Sequence, residues 1–240
     1  MKIQPLLFTL PDGRKAMRAG ISVIQQYQLG IPRKALWEAA EKGETILVED
    51  EIAREYMEYL DVCDENGQPT GQVIERRQAH REGVRHRTAH VWIVRRQGER
   101  YQILMQKRAM GKDSFPGLYD TSSAGHIPAG NEPLESALRE LKEELGIDAK
   151  AEDLLPMGHF DVQYEKNFYG WPFKDCEYVN AYLYTQPVDL QTLTLQASEV
   201  ERVDWFDLEE VREEIRHSRE RFCVPSQSLE LLRDFLFTKG

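Results

Sequence analysis

The chain has 240 residues, 41% of them apolar, and a formal net charge of −10; that suffices for one large domain, or a domain plus a small appendage, and excludes wholesale disorder. The acidic balance argues against a protein whose main task is gripping nucleic acid phosphates. The scattered, odd-numbered cysteines Cys63, Cys176 and Cys223, the lack of a secretory leader and the lack of a long apolar run together predict a cytoplasmic protein with no disulfide framework and no membrane span.

The first 57 residues predict a small helical extension. Residues 21–29 and 32–42 read as short helices, Pro32 suiting a first helical position and Gly43 the residue after a helix end. Asp50 caps a third that runs to Met57. Gly30-Ile31-Pro32 between two helices superficially suggests a DNA-binding helix pair, but eight Lys and Arg balance eight Asp and Glu up to Glu55. No basic face results, which favours a packing or dimerisation role, with a homodimer as the partner. A second part, 58–240, reads as strands, a central helix, more strands and closing helices. Asn66-Gly67 between 59–63 and 72–74 signals a hairpin, because both residues tolerate positive φ. A second hairpin joins 89–94 to 101–105 through Arg96-Gln97-Gly98-Glu99. A helix follows over 132–145, stopped by Gly146; strands are expected at 157–163 and 178–184, and helices at 208–217 and 226–237. The expected fold class is α/β with mixed α+β character: an α/β/α sandwich around a mixed sheet.

The central helix carries the most information. Leu134, Leu138, Leu141 and Leu145 form one apolar stripe at helical spacing. Glu140, Glu143 and Glu144 stand at i, i+3 and i+4 and converge on another face. Like charges so placed repel unless a cation sits among them. A divalent cation, which takes carboxylate and phosphate oxygens together, is one candidate; a solvated acidic face is the plain alternative.

The stretch from Gly125 to Ile147 resembles the Nudix box: Gly, five residues, Glu, seven residues, then Arg139-Glu140-Leu141-Lys142-Glu143-Glu144-Leu145-Gly146-Ile147. One position departs, Asn131 standing where the first Glu is expected, with Glu132 beside it. The resemblance implies a metal-dependent hydrolase of a small-molecule diphosphate, using Mg2+ with Mn2+ as a substitute. Glu140, Glu143 and Glu144 would hold the metal, with Glu143, Glu144 and Arg139 in the catalytic group; outside the box, Glu177, in the strand-like run toward Tyr184, is the first choice of catalytic base. Arg139 would orient a carboxylate, and Asn131 would cap the helix.

Over roughly 58–237 the chain also resembles the branch containing isopentenyl-diphosphate isomerases and hydrolases similar to them. The carrying residues include Leu60-Asp61-Val62, Asp64-Glu65-Asn66-Gly67, His86-Arg87, Gln106-Lys107-Arg108 and Tyr119-Asp120. That likeness implies a second ligand set, His80, His86, His126, Asp175 and Glu177. It also implies a catalytic cysteine at the position of Ala124, so the isomerase reaction is not expected. Read from the residues alone, His80 and His86 lie in a polar, charge-rich stretch and suit the surface, and His90 suits packing within a strand. His126, Arg108 and Lys112 are candidate substrate contacts, Asp161, Glu165, Asp175 and Glu177 candidate bases or ligands, and Phe160, Tyr164, Phe168, Tyr169, Trp171, Phe173 and Tyr178 a candidate stacking surface or packing cluster. A Nudix-fold binding or regulatory protein without useful turnover is the rival reading.

Overall fold

The computed structural model describes residues 7–9, 15–18, 45–47, 58–112, 114–168 and 171–239. The chain divides into two compact units, Met1–Glu58 with Gly111–Ser114, and Tyr59–Met110 with Phe115–Gly240. In the first, β1 (Leu7–Thr9), β2 (Lys15–Arg18) and β3 (Thr45–Leu47) form an antiparallel sheet in that order. The sequence predicted only helices here. Strands of three or four residues are too short for a two-residue alternation to register. The helices expected at 21–29, 32–42 and 50–57 lie outside the described residues.

The second unit opens with the expected hairpin of β4 (Tyr59–Cys63) and β5 (Pro69–Glu75). Gly67 takes φ 72° in its turn, and Asp64 Oδ1 accepts hydrogen bonds from the amides of Asn66 and Gln68. A helix the sequence reading left unassigned follows, α1 (Arg76–Glu82). Its start is capped by the Glu75 carboxylate, which accepts from the amides of Arg77 and Gln78, and its end by left-handed Gly83. Then come β6 (His86–Gln97), β7 (Arg100–Arg108), β8 (Tyr119–Asp120), β9 (Ser123–His126) and α2 (Pro133–Leu145). β10 (Leu154–Phe168), β11 (Trp171–Tyr184), β12 (Val200–Asp207), α3 (Leu208–His217) and α4 (Ser226–Lys239) complete it. β12 was not expected, since VERVDWFD breaks its alternation with charges.

The sheet is mixed and pivots on β6. That strand runs parallel to β11 from His86 to Ile93 and antiparallel to β9 from Thr88 to Val91. Its far end turns into β7, which also pairs with β8 and β12. Alternation along β6 divides the core. Ala89, Val91 and Ile93, with Leu104, pack on Ala137, Leu141 and Leu145 of α2. Trp92, with Ile103 and Met105, packs on Leu208, Val211 and Ile215 of α3 and on Leu229 and Leu232 of α4. Each fully buried leucine contributes roughly 1.5–3 kcal/mol by leaving water. With α2 on one face and α3 and α4 on the other, the unit is the expected α/β/α sandwich. Among the described residues, no helix is long and apolar enough to cross a membrane.

Candidate active site

α2 presents the three glutamates in three different settings. Glu144 is buried, and its Oε2 accepts hydrogen bonds from Ser123 Oγ at 2.7 Å, the Ala124 amide at 3.1 Å and Gln106 Nε2 at 3.3 Å. Glu140 lies over Gly125, where a Cβ would fall 2.6 Å from Glu140 Cγ. A side chain there would have to displace Glu140. Arg139 sits between the other two carboxylates, 2.6 Å from Glu140 and 2.8 Å from Glu143, and donates to the backbone carbonyl of His126 at 3.2 Å. The repulsion expected among the glutamates is therefore relieved in part by an arginine. Asn131 does not cap the helix. The cap position falls on Glu132, with Pro133 at the first helical turn and no side-chain cap bond.

The second ligand set assembles on the sheet. The register places Glu177 beside His86 and His126 beside Thr88, while α1 brings His80 over them. His80 Nε2 and His126 Nε2 are 3.0 Å apart, one donating to the other. His80 Nδ1 lies 3.5 Å from Asp175, and His86 and His126 each lie 3.9 Å from Glu177. Far from suiting the surface, His80 and His86 are 6% and 0% exposed. A short polar helix, whose only buried residues are Ala79 and His80, disguised this in the sequence. Among the described residues, the groups of three that bring ligand atoms within 4.8 Å of one another are His80, His86, His126 and His86, Asp175, Glu177. Glu140, Glu143 and Glu144 form no such group.

The cluster fits a divalent cation on its own chemistry. His86 Nδ1 donates to the Val84 carbonyl at 2.8 Å, which leaves Nε2 with its lone pair inward. That Nε2 and Asp175 Oδ1 are buried without a hydrogen-bond partner. Burial holds His86 near 4 and pushes His80 well below the usual imidazole range, so both rings are neutral at pH 7. Burial likewise raises Asp175, and raises Glu177 further with the help of the Asp175 charge. Imidazole nitrogens with carboxylates suit a first-row divalent ion better than they suit each other.

A family model described as NUDIX domain matches residues 84–223, more than half of the chain. The chain belongs to the Nudix family. It is 39% identical over 145 residues to an uncharacterised Nudix hydrolase of Clostridium acetobutylicum, covering 60% of this chain and 66% of that one. It is 40% identical over 157 residues to Nudix hydrolase 3 of Arabidopsis thaliana, covering 65% of this chain but only 20% of that longer protein. An isopentenyl-diphosphate Delta-isomerase of Cereibacter sphaeroides is 32% identical over 149 residues, covering 62% of this chain and 78% of the relative. The solved structure of DR0079 from Deinococcus radiodurans superposes with a TM-score of 0.56 at 19% identity, covering 73% of this chain and 98% of that one, a likeness of fold.

Within this Nudix unit, Arg108 is paired with Asp120 at 3.0 Å, and its charge reaches Asp175 and Glu144. Lys112 lies after β7, in the piece 111–114 that belongs to the first unit. Asp161 pairs with Arg85 and Glu165 lies 3.8 Å from Lys174, both exposed acids apart from the cluster. Of the aromatics, Phe173 stacks on His80 at 4.3 Å, Tyr164 and Phe168 pack against Phe173, and Phe115 packs on those two. Phe160 faces His90 in the core, Tyr178 stacks on His159, and Tyr169 lies outside the described residues. Sequence reasoning missed Ser123 and Gln106 as holders of Glu144, and Asp120 as holder of Arg108. Gln106 and Asp120 stood in the quoted motifs, without a role.

Proposed function

We propose that the protein is a divalent-cation-dependent hydrolase of a small-molecule diphosphate. The observation that carries this is the meeting of two donor sets: the buried His80–His86–His126–Asp175–Glu177 cluster, and the box glutamates joined to it through Arg139. Glu140, Glu143 and Glu144 would take Mg2+ or Mn2+, and the histidine cluster a second divalent ion such as Mn2+. Such ions, when bound, would neutralise charge on the diphosphate oxygens and make water a better nucleophile. The remaining steps fall to the chain. Arg108, held in place by Asp120, forks onto the leaving phosphate. Arg139 keeps Glu140 and Glu143 aimed while its other contact holds the His126 carbonyl. Glu177 would take the water's proton on a carboxylate oxygen not committed to the cation. The geometry around His126 Nε2 favours a ligand role over a substrate contact.

Isomerisation of isopentenyl diphosphate is not part of this reading. That reaction delivers a proton to one carbon and removes another elsewhere, and the methyl of Ala124 exchanges none. A panel of nucleoside diphosphate derivatives, nucleotide cofactors and isoprenoid diphosphates, with Mg2+ or Mn2+, tests the proposal. Cation-dependent cleavage of at least one supports it. Tight binding without turnover across the panel favours a regulatory protein, and formation of dimethylallyl diphosphate would overturn the distinction drawn at Ala124.

A further inference from the structure

Between His126 and α2 runs the six-residue loop 127–132, which has no regular structure beyond one bridge from Pro128 to Leu60. The two donor sets lie at its two ends, so whatever fixes this loop fixes their separation. Ordinary backbone bonds tie its first half: Ile127 N–H donates to the Arg87 carbonyl at 3.1 Å and Ala129 N–H to the Tyr59 carbonyl at 2.8 Å. Its second half closes on one turn bond, from the Asn131 N–H to the Pro128 carbonyl at 3.0 Å, and is otherwise held by charges. Asp61 Oδ2, on β4, accepts from the Gly130 amide at 2.9 Å and from the Arg87 guanidinium at 3.0 Å. The same guanidinium nitrogen donates to the Asn131 carbonyl at 3.0 Å. Asp61 and Arg87 are 8% and 6% exposed. Burying such a pair costs desolvation, and an apolar pair of the same volume would often do as well for stability alone. What an apolar pair cannot do is satisfy the Gly130 N–H and the Asn131 C=O.

We infer that Asp61 and Arg87 are positioning residues of the active site, a charged strap that clamps the main chain at 130–131 and sets the box helix at a fixed distance from the histidine cluster. The inference rests on the reading of that cluster as a cation site. Arg87 follows His86 directly on β6, and His126 pairs with Thr88 one residue further on. The strap therefore ties the loop to the same stretch of strand that carries the cluster. Because it grips a carbonyl, the identity of the side chain at 131 is immaterial to it.

The test uses the full chain with Asp61→Asn, Arg87→Lys and Asn131→Ala, and reads two quantities. One is amide hydrogen exchange in 127–132 against that of the β6–β11 amides; the other is calorimetric titration with Mn2+ alone. Asp61→Asn is expected to speed loop exchange by about tenfold with the sheet amides unchanged, and to weaken Mn2+ binding by about tenfold, as loss of an outer-shell partner does. Arg87→Lys keeps the charge but not the fork, so it gives a smaller change in the same two readings and serves if Asp61→Asn does not fold. Asn131→Ala leaves both at the wild-type value. The strap is refuted if loop exchange stays at the wild-type rate, if loop and sheet amides accelerate together, or if Asn131→Ala weakens Mn2+ as much as Asp61→Asn does. Wild-type protein that takes up no Mn2+ would remove the cation reading, while the exchange comparison would still decide whether the strap holds the loop.

Discussion

Gly125→Ala is the smallest change with a computable consequence. The new Cβ would sit 2.6 Å from Glu140 Cγ and nearer still to the carboxylate, about 0.8 Å inside the 3.4 Å where contacts become ordinary. The strand backbone of β9 is bound to β6 on that side, so Glu140 has to give way. Moving it breaks its 2.6 Å pairing with Arg139, whose guanidinium also steadies the His126 carbonyl. Overpacking of this kind costs roughly 1–3 kcal/mol of stability, and misplacement of a working group by about 1 Å costs on the order of 100-fold in rate. Initial rates on the cleaved diphosphate, with thermal melts alongside, read both. Gly98→Ala is the control. It has a left-handed backbone at φ 63° and no atom within 4 Å of a new Cβ, so it loses about 1–2 kcal/mol through strain alone and keeps its rate. A Gly125→Ala protein within threefold of the wild-type rate would refute the placement of Glu140 in the chemistry.

Glu144→Gln keeps the shape that accepts from Ser123 and Ala124 but loses the charge, and should lower turnover by at least about 100-fold with an unchanged circular dichroism spectrum; wild-type turnover would remove Glu144 from the ligand set. His86→Gln should weaken Mn2+ binding by at least about 100-fold in a calorimetric titration, since it removes the inward Nε2 rather than an outer-shell partner. Burial holds His90 at about 4 against 6.5 unfolded, so its contribution is present above pH 6.5 and is lost as pH falls toward 4. Denaturant melts of wild type and His90→Leu at pH 7 and pH 4.5 should therefore differ in their acid loss by about 2.5 kcal/mol, the wild type losing more; equal losses would show that the ring is not buried neutral.

The sandwich was legible because its core elements are long and periodic. The stripe through Leu141 and Leu145, both 0% exposed, and the alternation along β6 each declare one buried face. The strands of the first unit and β12 were not, being short or interrupted by charge. Gly125 through Glu144 was readable as a gapped motif, yet the motif alone did not reveal that Arg139 would occupy the space between the carboxylates. The histidine cluster shows the opposite failure. His80 and His86 are six residues apart among charges, and only the turn made by α1 and Gly83 folds His80 onto Asp175 and His86 onto Glu177. Burial of this kind comes from chain reversal and pairing with distant strands, which local spacing does not encode. Asp61 and Arg87 were legible as residues but not as a pair, since they lie on different strands and grip main-chain atoms.

The most direct test of the central claim is phosphorus magnetic resonance of a diphosphate panel incubated with the 240-residue chain and Mg2+ or Mn2+, with and without a chelator. New phosphate-containing products are expected from at least one compound, lost on chelation and lost in Glu144→Gln. Cleavage that persists with the chelator present, or no cleavage of any compound by a protein that holds its cation, would contradict it.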